Sequence, residues 1–310
     1  MMVDVSVIVI SWNTRALLEQ CLRSVYGTAG DLVVEVIVVD NGSTDGSVEM
    51  VRERFPQARL MVNRENVGFA RANNQAMAVA QGRYFLLLNS DAVLRPGALK
   101  AMVDLMGADP RVGIAGGRLM NPDGSFQASF MDFPTLWAEI LLMIKLHPLL
   151  RSPYFPSYPP AESEEVREAD WVPGACMLVR REVWKEVGGL DETYFMYSEE
   201  VDWCWRVGRA GWRIYYTPEA EIVHWGGQSI GRVPLERRAR VYRGKWLFFH
   251  RRGGRRTAGL FRLALVATTA LKMGLWALLM AAPTRAVRDR ARRNLRSYRR
   301  LLSAVGKGAG

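Results

Sequence analysis

The stretch VVEVIVVDNGSTDG, residues 33–46, joins an apolar, β-branched run to a polar loop that ends in glycine. Because residues 33–39 are apolar on both faces, they predict a strand buried on both sides, as in a parallel sheet. Apolar residues at helical spacing follow the loop. The same unit of strand, polar loop and helix begins the chain at residues 3–10 and recurs with strands at 59–62 and 84–88.

This alternation predicts an α/β fold with a mostly parallel sheet and flanking helices. Polar loops at the carboxyl ends of such strands are where open α/β sheets bind ligands. Residues beyond Pro96 are less regular, with an apolar segment at 136–150 and a Pro/Tyr-rich surface excursion at 154–160. A regular sequence pattern returns at residues 171–179. It is followed by predicted helices at 181–187 and 199–209 and by two predicted short strands at 213–216 and 221–224.

The charge of the chain is unevenly distributed. The 310 residues carry a formal net charge of +11, to which residues 232–310 contribute +19 and residues 1–231 contribute −8. At 49% hydrophobic and 24% charged residues, the composition excludes a disordered or collagen-like chain. Three widely spaced cysteines indicate neither a disulfide framework nor a thiolate zinc site. We therefore expect an α/β body over residues 1–231 and a basic helical tail over residues 232–310.

Two acidic residues follow predicted strands directly. Asp40 begins a loop whose Asp-Asn-Gly-Ser sequence is also typical of a simple turn. Asp91 follows another strand beside Asn89, and two acids at one sheet edge favour a ligand site over a turn. An oxygen-rich cluster there suits a hard divalent cation.

A third acidic group, Glu199, Glu200 and Asp202, lies at the predicted start of a helix. Acids in a first helical turn favour the helix dipole, which is a purely structural explanation. The functional alternative is that one of them is a general base facing a cleft, and spacing alone does not choose which. His224 ends a predicted strand, where it is either a hydrogen-bonded structural residue or a metal ligand beside Asp91.

Together these segments resemble family 2 glycosyltransferases with the GT-A fold, closest to the bacterial rhamnosyltransferase-like branch. The resemblance runs in order from about residue 4 to residue 230 and covers a donor half, about residues 1–95, and an acceptor half, about residues 96–231. The donor half is similar at VIVISWN (7–13), VVDNGSTD (38–45), NVGFARANN (66–74) and LLNSD (87–91), and the acceptor half at WVPGA (171–175), GLDE (189–192), YSEEVDWCWR (197–206) and HWGGQS (224–229).

The resemblance implies an inverting transfer of a sugar from a nucleoside-diphosphate sugar, either dTDP-rhamnose-like or a UDP-sugar. The acceptor would be a hydroxyl of a glycan or lipid-linked sugar in cell-surface polysaccharide synthesis. Asp40 would accept the N3–H of a uracil or thymine ring. The implied donor-binding residues are Ser11, Asn13, Asp40, Asn41, Asn66, Gly68, Asn73, Asn89 and Asp91, and the acceptor-binding residues are Gly174, Ala175 and Asp202.

The resemblance also implies a Mg²⁺ or Mn²⁺ ion held by Asp91 and His224, with Glu200 as catalytic base and Glu199 and Asp202 as alternatives. Two positions depart from the strict family pattern. Asn89 stands where the DxD-type motif has its first aspartate, which leaves fewer charges for the metal. The base position carries glutamate, which is one methylene longer than aspartate.

The tail indicates a membrane surface. Residues 263–282 are long enough to span a bilayer, but Lys272 at their centre favours an interfacial or re-entrant helix over a full span. Flanking arginines suit anionic lipid, while a helix pair packed against the body is the structural alternative. The chain start lacks the regions of a signal peptide. We therefore expect a cytoplasmic protein bound peripherally to the inner face of the cell membrane.

Other classes of protein are less consistent with the sequence. A non-enzymatic sugar- or nucleotide-binding module does not require the acids at 199–202. The arginine-rich tail raises a nucleic-acid-binding protein as a second alternative, although we expect no nucleic-acid partner. A dinucleotide oxidoreductase is disfavoured because no GxGxxG follows the first strand.

Overall fold

Nine β-strands form one sheet in the computed structural model, which describes residues 2–144, 163–226 and 234–306. The chain divides into two compact units. The first contains Met1–Phe133 and Ser152–Gly231, and the second contains Pro134–Arg151 and Arg232–Gly310. The Pro/Tyr-rich excursion predicted at 154–160 and the end of the HWGGQS segment, residues 227–229, lie outside the described residues.

The first half of the sheet is parallel. Its strands lie in the order β3-β2-β1-β4, and each is an apolar run that the sequence predicted to within about two residues at each end. Apolar residues cover both faces, which confirms the α/β prediction. The elements are β1 (Val5–Ser11), α1 (Arg15–Thr28), β2 (Val34–Asp40), α2 (Ser47–Arg54), β3 (Arg59–Val62), α3 (Phe69–Met77) and β4 (Tyr84–Asn89).

The second half of the sheet is mixed and continues from β4 in the order β8-β6-β9-β5, with β7 also paired to β9. Here β8 is antiparallel to both neighbours, while β6 and β9 are parallel. The elements are β5 (Ala92–Leu94), α4 (Ala98–Ala108), β6 (Val112–Met120), β7 (Arg167–Glu168), β8 (Cys176–Arg180), α6 (Arg181–Val187), α7 (Glu199–Arg209) and β9 (Arg213–His224).

The prediction of two short strands at 213–216 and 221–224 is wrong, because β9 is one strand of 12 residues. A Pro-Glu pair at 218–219 interrupts the apolar pattern and suggested a break. The strand continues through it because a register shift against β6 between Gly117 and Arg118 absorbs the extra residues.

The second unit is helical. It contains α5 (Leu136–Met143), α8 (Pro234–Leu278), a 3-10 turn at Leu279–Ala281 and α9 (Arg285–Gly306). Gly254, at φ 71°, kinks α8, since this left-handed conformation is favourable for glycine alone. The core of the unit joins Met143 of α5 to residues of α8 on both sides of that kink. Glu139 is buried and forms an ion pair with Lys245, whose Nζ lies 2.6 and 2.7 Å from the two carboxylate oxygens.

The helix over Arg238–Ala281 is apolar and long enough to cross a membrane, and only 11% of its most apolar 18-residue window is buried. Large apolar side chains are exposed along its second half. They are Leu260, Leu263, Val266, Leu271, Leu275, Leu278 and Leu279.

Candidate active site

The carboxyl ends of β1, β2 and β4 meet at one edge of the sheet. In the strand register Ser11 pairs with Asp40, and Ile10 pairs with Asn89. Residues far apart in sequence are therefore neighbours at this edge, as the parallel pattern predicted. A chain of hydroxyls joins β1 to the residue after β4, because Thr14 Oγ1 lies 3.2 Å from Ser11 Oγ and 2.9 Å from Ser90 Oγ.

Asp40 is buried and has one carboxylate oxygen available. Its Oδ1 accepts a hydrogen bond of 2.8 Å from the backbone N–H of Ser43, whereas its Oδ2 is buried without a partner. Asn13 fixes the same loop, since its backbone N–H donates to Ser43 Oγ and its Oδ1 accepts from the N–H of Thr44, both at 2.8 Å. A buried polar atom without a partner is costly and marks a place for a ligand donor.

A network of asparagines extends from this loop to the start of α3. Asn41 Nδ2 donates to Asn66 Oδ1 at 3.4 Å and to the carbonyl of Gly68 at 3.3 Å, and Asn66 Oδ1 accepts from the N–H of Gly68 at 3.0 Å. Gly68 has a φ of 90°, and a Cβ there would lie 2.6 Å from the carbonyl oxygen of Phe195. Only glycine allows this close approach.

Helix α3 is tied to the loop that precedes α7. Asn74 Nδ2 donates to the carbonyl of Leu190 at 2.8 Å, and Asn74 Oδ1 accepts from the N–H of Leu190 at 3.0 Å. The neighbouring Asn73 is buried, with Nδ2 bonded to the carbonyl of Phe69 and Oδ1 without a partner. The donor-like and acceptor-like motifs are thus hydrogen-bonded to each other.

Asp91 and His224 are brought together across β5 and β9. Ala92 pairs with His224 in the sheet, and His224 Nε2 lies 3.4 Å from Asp91 Oδ1 and 3.4 Å from Asn89 Nδ2. Two ligands of one Mg²⁺ or Mn²⁺ ion, each at about 2.0–2.1 Å, lie about 3 Å apart in octahedral geometry. The carboxylate oxygen and the imidazole nitrogen therefore fit adjacent positions on one divalent cation.

Other acidic or sulfur ligands do not add to this pair. Across the described ranges, no group of three or more His, Cys, Asp and Glu residues is arranged to hold a metal. A cation at Asp91 and His224 would take its remaining ligands from water or from a substrate, as Mg²⁺ usually does with phosphates.

The three acids at the start of α7 have different surroundings. Glu199 is buried, Glu200 is partly exposed, and each has an Oε2 without a partner. Asp202 is fully buried, and its Oδ2 accepts from Arg206 Nε at 2.9 Å. Since Arg206 also donates to the backbone carbonyls of Val187, the last residue of α6, and Gly189, this ion pair holds α7 against the preceding turn.

Burial raises the pKa of both glutamates. Desolvation raises the pKa of Glu200 to about 7. Desolvation, with repulsion from Glu200, raises the pKa of Glu199 well above its ordinary value. Tyr197 and Ser198 precede the pair with φ of 74° and 73°, a strained left-handed conformation that is typical of functional sites.

Gly174 and Ala175 connect the two ends of the site. The carbonyl of Ala175 accepts a hydrogen bond of 2.9 Å from the backbone N–H of Asn89. A Cβ on Gly174 would lie 3.7 Å from the Cβ of Glu200. Contacts between neighbouring residues therefore connect His224 to Glu200, through Asn89, Ala175 and Gly174.

The structure adds residues that the sequence did not indicate. Gln127 contacts His224, and Thr14 and Ser90 form the hydroxyl chain. Gln127 lies in the irregular region after Pro96 and reaches His224 only because β6 and β9 are neighbours, so no local pattern marks it. Ser90 lies inside the quoted LLNSD segment and Thr14 directly follows the VIVISWN segment, but no sequence pattern singles them out.

The chain is similar to proteins of known function. The family model for glycosyl transferase family 2 matches residues 6–188. An N-acetylglucosaminyl-diphospho-decaprenol L-rhamnosyltransferase of Mycobacterium tuberculosis is 33% identical over 259 residues, which are 78% of this chain and 82% of the relative. Glu200 and His224 lie beyond the part that the family model matches.

Two solved structures show the same fold. A structure of GalNAc-T7 with UDP, GalNAc and Mn²⁺ has a TM-score of 0.58 at 13% identity and covers 80% of this chain and 48% of that protein. The mannosyltransferase PcManGT of Pyrobaculum calidifontis, in complex with GDP-Man and Mn²⁺, has a TM-score of 0.56 at 20% identity. It covers 98% of this chain and 86% of that protein.

Proposed function

The chain belongs to glycosyl transferase family 2 and is a glycosyltransferase of polysaccharide or cell-wall glycan synthesis, and we propose that it is a metal-dependent, inverting enzyme. Its donor is a nucleoside-diphosphate sugar of the dTDP-rhamnose or UDP-sugar type, and its acceptor is a hydroxyl of a polyprenyl-diphosphate-linked sugar. The acceptor class follows the name of the mycobacterial relative. One observation carries the proposal: Asn89 contacts His224 and is hydrogen-bonded to Ala175, which follows Gly174 at the side of Glu200.

We assign the donor half to about residues 1–95. The unpartnered Oδ2 of Asp40 accepts the N3–H of a uracil or thymine ring, while the backbone of Ser43 holds the other oxygen in place. Thymine and uracil present this N–H equally. Ser11, Asn13, Asn41, Asn66, Gly68 and Asn73 shape the surrounding pocket.

Asp91 and His224 hold a divalent cation beside Asn89. When bound, such a cation supplies Lewis-acid charge to the leaving diphosphate. The pair fits this role because an imidazole nitrogen and a carboxylate oxygen converge at 3.4 Å.

Glu200 is the general base. The best base has a pKa near the working pH, and burial places that of Glu200 at about 7. Its carboxylate takes the proton of the acceptor hydroxyl as that oxygen attacks C1 of the sugar from the face opposite the diphosphate, which inverts the anomeric configuration. Asp202 is engaged with Arg206, and Glu199 is buried whereas Glu200 is partly exposed, so both are less suited to the role.

Purified protein tests the proposed reaction directly. Thermal unfolding is followed with a panel of nucleotide sugars, with and without Mn²⁺, because a bound ligand raises the apparent stability. We expect dTDP-rhamnose or a UDP-sugar to raise Tm in the presence of Mn²⁺, and NMR of the product to show inversion. Failure of every uridine and thymidine donor to bind would contradict the donor assignment, and retained configuration would contradict the mechanism.

The tail, residues 232–310, forms the membrane-bound part and holds the enzyme at the cytoplasmic face, where a lipid-linked acceptor is presented. Support comes from the exposed leucines of α8 and the many arginines of α9. We expect the protein to sediment with phosphatidylglycerol vesicles and less with phosphatidylcholine vesicles. Equal binding to both lipids would contradict an electrostatic attraction of the tail to anionic lipid. Tight binding to nucleic acid at moderate salt would favour nucleic acid as the partner of the tail.

A further inference from the structure

Gln127 is held in place beside His224 at the metal end of the site. The backbone N–H of Gln127 donates to the carbonyl of Leu119 at 2.8 Å, after a tight turn that follows β6. Since Leu119 and Met120 pair with Ile222 and Val223 of β9, this turn lies next to the end of β9. The side chain of Gln127 therefore reaches His224 although the two residues are 97 positions apart.

The orientation of the Gln127 amide is determined by its neighbours. Its Nε2 lies 2.5 Å from the backbone carbonyl oxygen of His224 and 2.7 Å from Asn121 Oδ1. A backbone carbonyl only accepts hydrogen bonds, so the NH₂ group of Gln127 must face it. The amide oxygen, Oε1, then faces the imidazole ring, 2.9 Å from His224 Nδ1.

This orientation determines which imidazole nitrogen carries the proton. An amide oxygen has no proton to donate, so the hydrogen bond exists only if His224 Nδ1 is the donor. In the neutral ring Nε2 is then an acceptor, which agrees with the amide nitrogen of Asn89 at 3.4 Å from it. That nitrogen is the one at 3.4 Å from Asp91 Oδ1, so two acceptor atoms converge at a separation that suits adjacent ligands of one cation.

We infer that Gln127 is a positioning residue that fixes His224 in the Nδ1–H tautomer and so presents Nε2 to the divalent cation. The inference rests on the metal site of the proposed function. Gln127 contacts Nδ1 of the ring, whereas Nε2 faces Asp91. It acts through His224, as residues behind a metal-ligating histidine commonly do.

A merely structural role for Gln127 makes a different prediction. Gln127 also bonds to Asn121 and to the backbone, so its loss removes packing and hydrogen bonds whatever the state of His224. A structural role changes stability but leaves the tautomer of the ring alone. The imidazole of a histidine in water favours the Nε2–H tautomer, so release from Gln127 has a visible consequence.

Nitrogen NMR of the full-length protein reads the tautomer without any sugar transfer. The chain has only three histidines, and His147→Gln and His250→Gln variants assign the His224 signals. Spectra are recorded without metal over a series of alkaline pH values, and the tautomer is read where the ring signals no longer change with pH. We expect Nδ1–H in the wild-type protein and a shift toward Nε2–H in Gln127→Met.

Two further variants separate the proposed role from general damage. Gln127→Glu keeps an acceptor for Nδ1–H and is expected to retain the wild-type tautomer. Gln57→Met makes the same glutamine-to-methionine change at an exposed position and is expected to change nothing. Mn²⁺ alone is then titrated against each protein by electron paramagnetic resonance. We expect Gln127→Met to weaken Mn²⁺ binding by about 10–100-fold.

The outcomes are decisive for Gln127 whether or not the chain transfers sugar. An Nε2–H ring in the wild-type protein overturns the inference, and so does an Nδ1–H ring that persists in Gln127→Met. Unchanged Mn²⁺ affinity in a variant whose tautomer has shifted overturns the link to the metal. Failure of the wild-type protein to bind Mn²⁺ at all contradicts the metal site itself, which is a failure of the proposed function and not of the tautomer assignment.

Discussion

The carboxylate in the polar loop after β2 and the carboxylates at the start of α7 have opposite surroundings. At the loop, Asp40 is held by a backbone N–H and leaves one oxygen without a partner. At the helix, Glu199 and Glu200 stand side by side under desolvation, which raises the pKa of both. At the loop, hydrogen-bonded neighbours hold the carboxylate of Asp40 in place as an acceptor. At the helix start, desolvation disfavours the charged forms of both glutamates.

This difference suits the loop to binding the donor and the helix start to catalysis. A ligand hydrogen bond gains most when its partner is already oriented, because no further side-chain freedom is lost on binding. A general base gains most when its pKa lies near the working pH, which burial achieves for Glu200 at a cost in stability. Changes at the loop should therefore affect donor binding, and changes at the helix should affect the rate.

The largest effect is expected at Glu200. Glu200→Gln removes the proton acceptor, and kcat should fall by about 10²–10⁴-fold, the usual contribution of general-base catalysis. Donor binding should stay within a few-fold, because the change leaves the Asp40 loop intact. Steady-state kinetics and calorimetric titration with UDP and dTDP measure the two quantities separately.

A matched control removes a different carboxylate. Glu219→Gln lies on an exposed position of β9 and should leave kcat within about twofold. Glu199→Gln discriminates between the adjacent acids. A larger loss of kcat for Glu199→Gln than for Glu200→Gln would make Glu199 the base.

The same Glu200→Gln change should stabilise the protein above neutral pH. Because the folded pKa of about 7 exceeds the ordinary value of 4.5, the wild-type protein loses stability as pH rises through 7. The advantage of the variant should therefore grow between pH 4 and pH 8. Urea unfolding at both pH values measures it, and a pH-independent difference would disprove the raised pKa.

At the loop, Asp40→Asn replaces the unpartnered acceptor with an amide. We expect UDP and dTDP affinity to fall by about 10–150-fold, which corresponds to the 1.5–3 kcal/mol of a hydrogen bond to a charged group. The kcat with saturating donor should change far less than in Glu200→Gln.

The ligand supplies the matching control for Asp40. N3-methyl-UDP lacks the N–H, so it should bind the wild-type protein as weakly as UDP binds Asp40→Asn. Asp40→Asn should not distinguish UDP from N3-methyl-UDP. If it still does, the ring contacts a different residue.

The smallest effect concerns the bonds that join the two regions. Asn74→Ala removes both hydrogen bonds to the backbone of Leu190 and should lower the free energy of unfolding by about 1–2 kcal/mol. Arg71→Ala, on an exposed face of the same helix, should cost less than about 0.5 kcal/mol. Equal losses in urea unfolding would mean that Asn74 does not hold α3 to the loop before α7.

The parallel half of the sheet was predictable because its information is local. Residues 33–46 contain both an apolar strand and the loop that follows it, and parallel pairing brings Ser11, Asp40 and Asn89 to one edge. The mixed half depends on contacts between distant residues. The continuity of β9 and the position of Gln127 both follow from the pairing of β6 with β9, which no local pattern in the sequence reveals.

The choice among the three acids also needed the fold. Spacing alone does not choose among them. The ion pair of Asp202 with Arg206 is a local contact between positions i and i+4 of α7. The sequence does not show that Glu199 is buried while Glu200 is partly exposed, because this difference comes from packing against elements far away in the chain.

The pH dependence of single-turnover glycosyl transfer tests the role of Glu200 most directly. If Glu200 is the base, the rate with saturating donor should fall about tenfold for each pH unit below about 7 and level off above it. The same inflection should be absent from the residual activity of Glu200→Gln. A wild-type rate that stays flat from pH 5.5 to pH 8, or an inflection that persists in Glu200→Gln, would contradict the assignment.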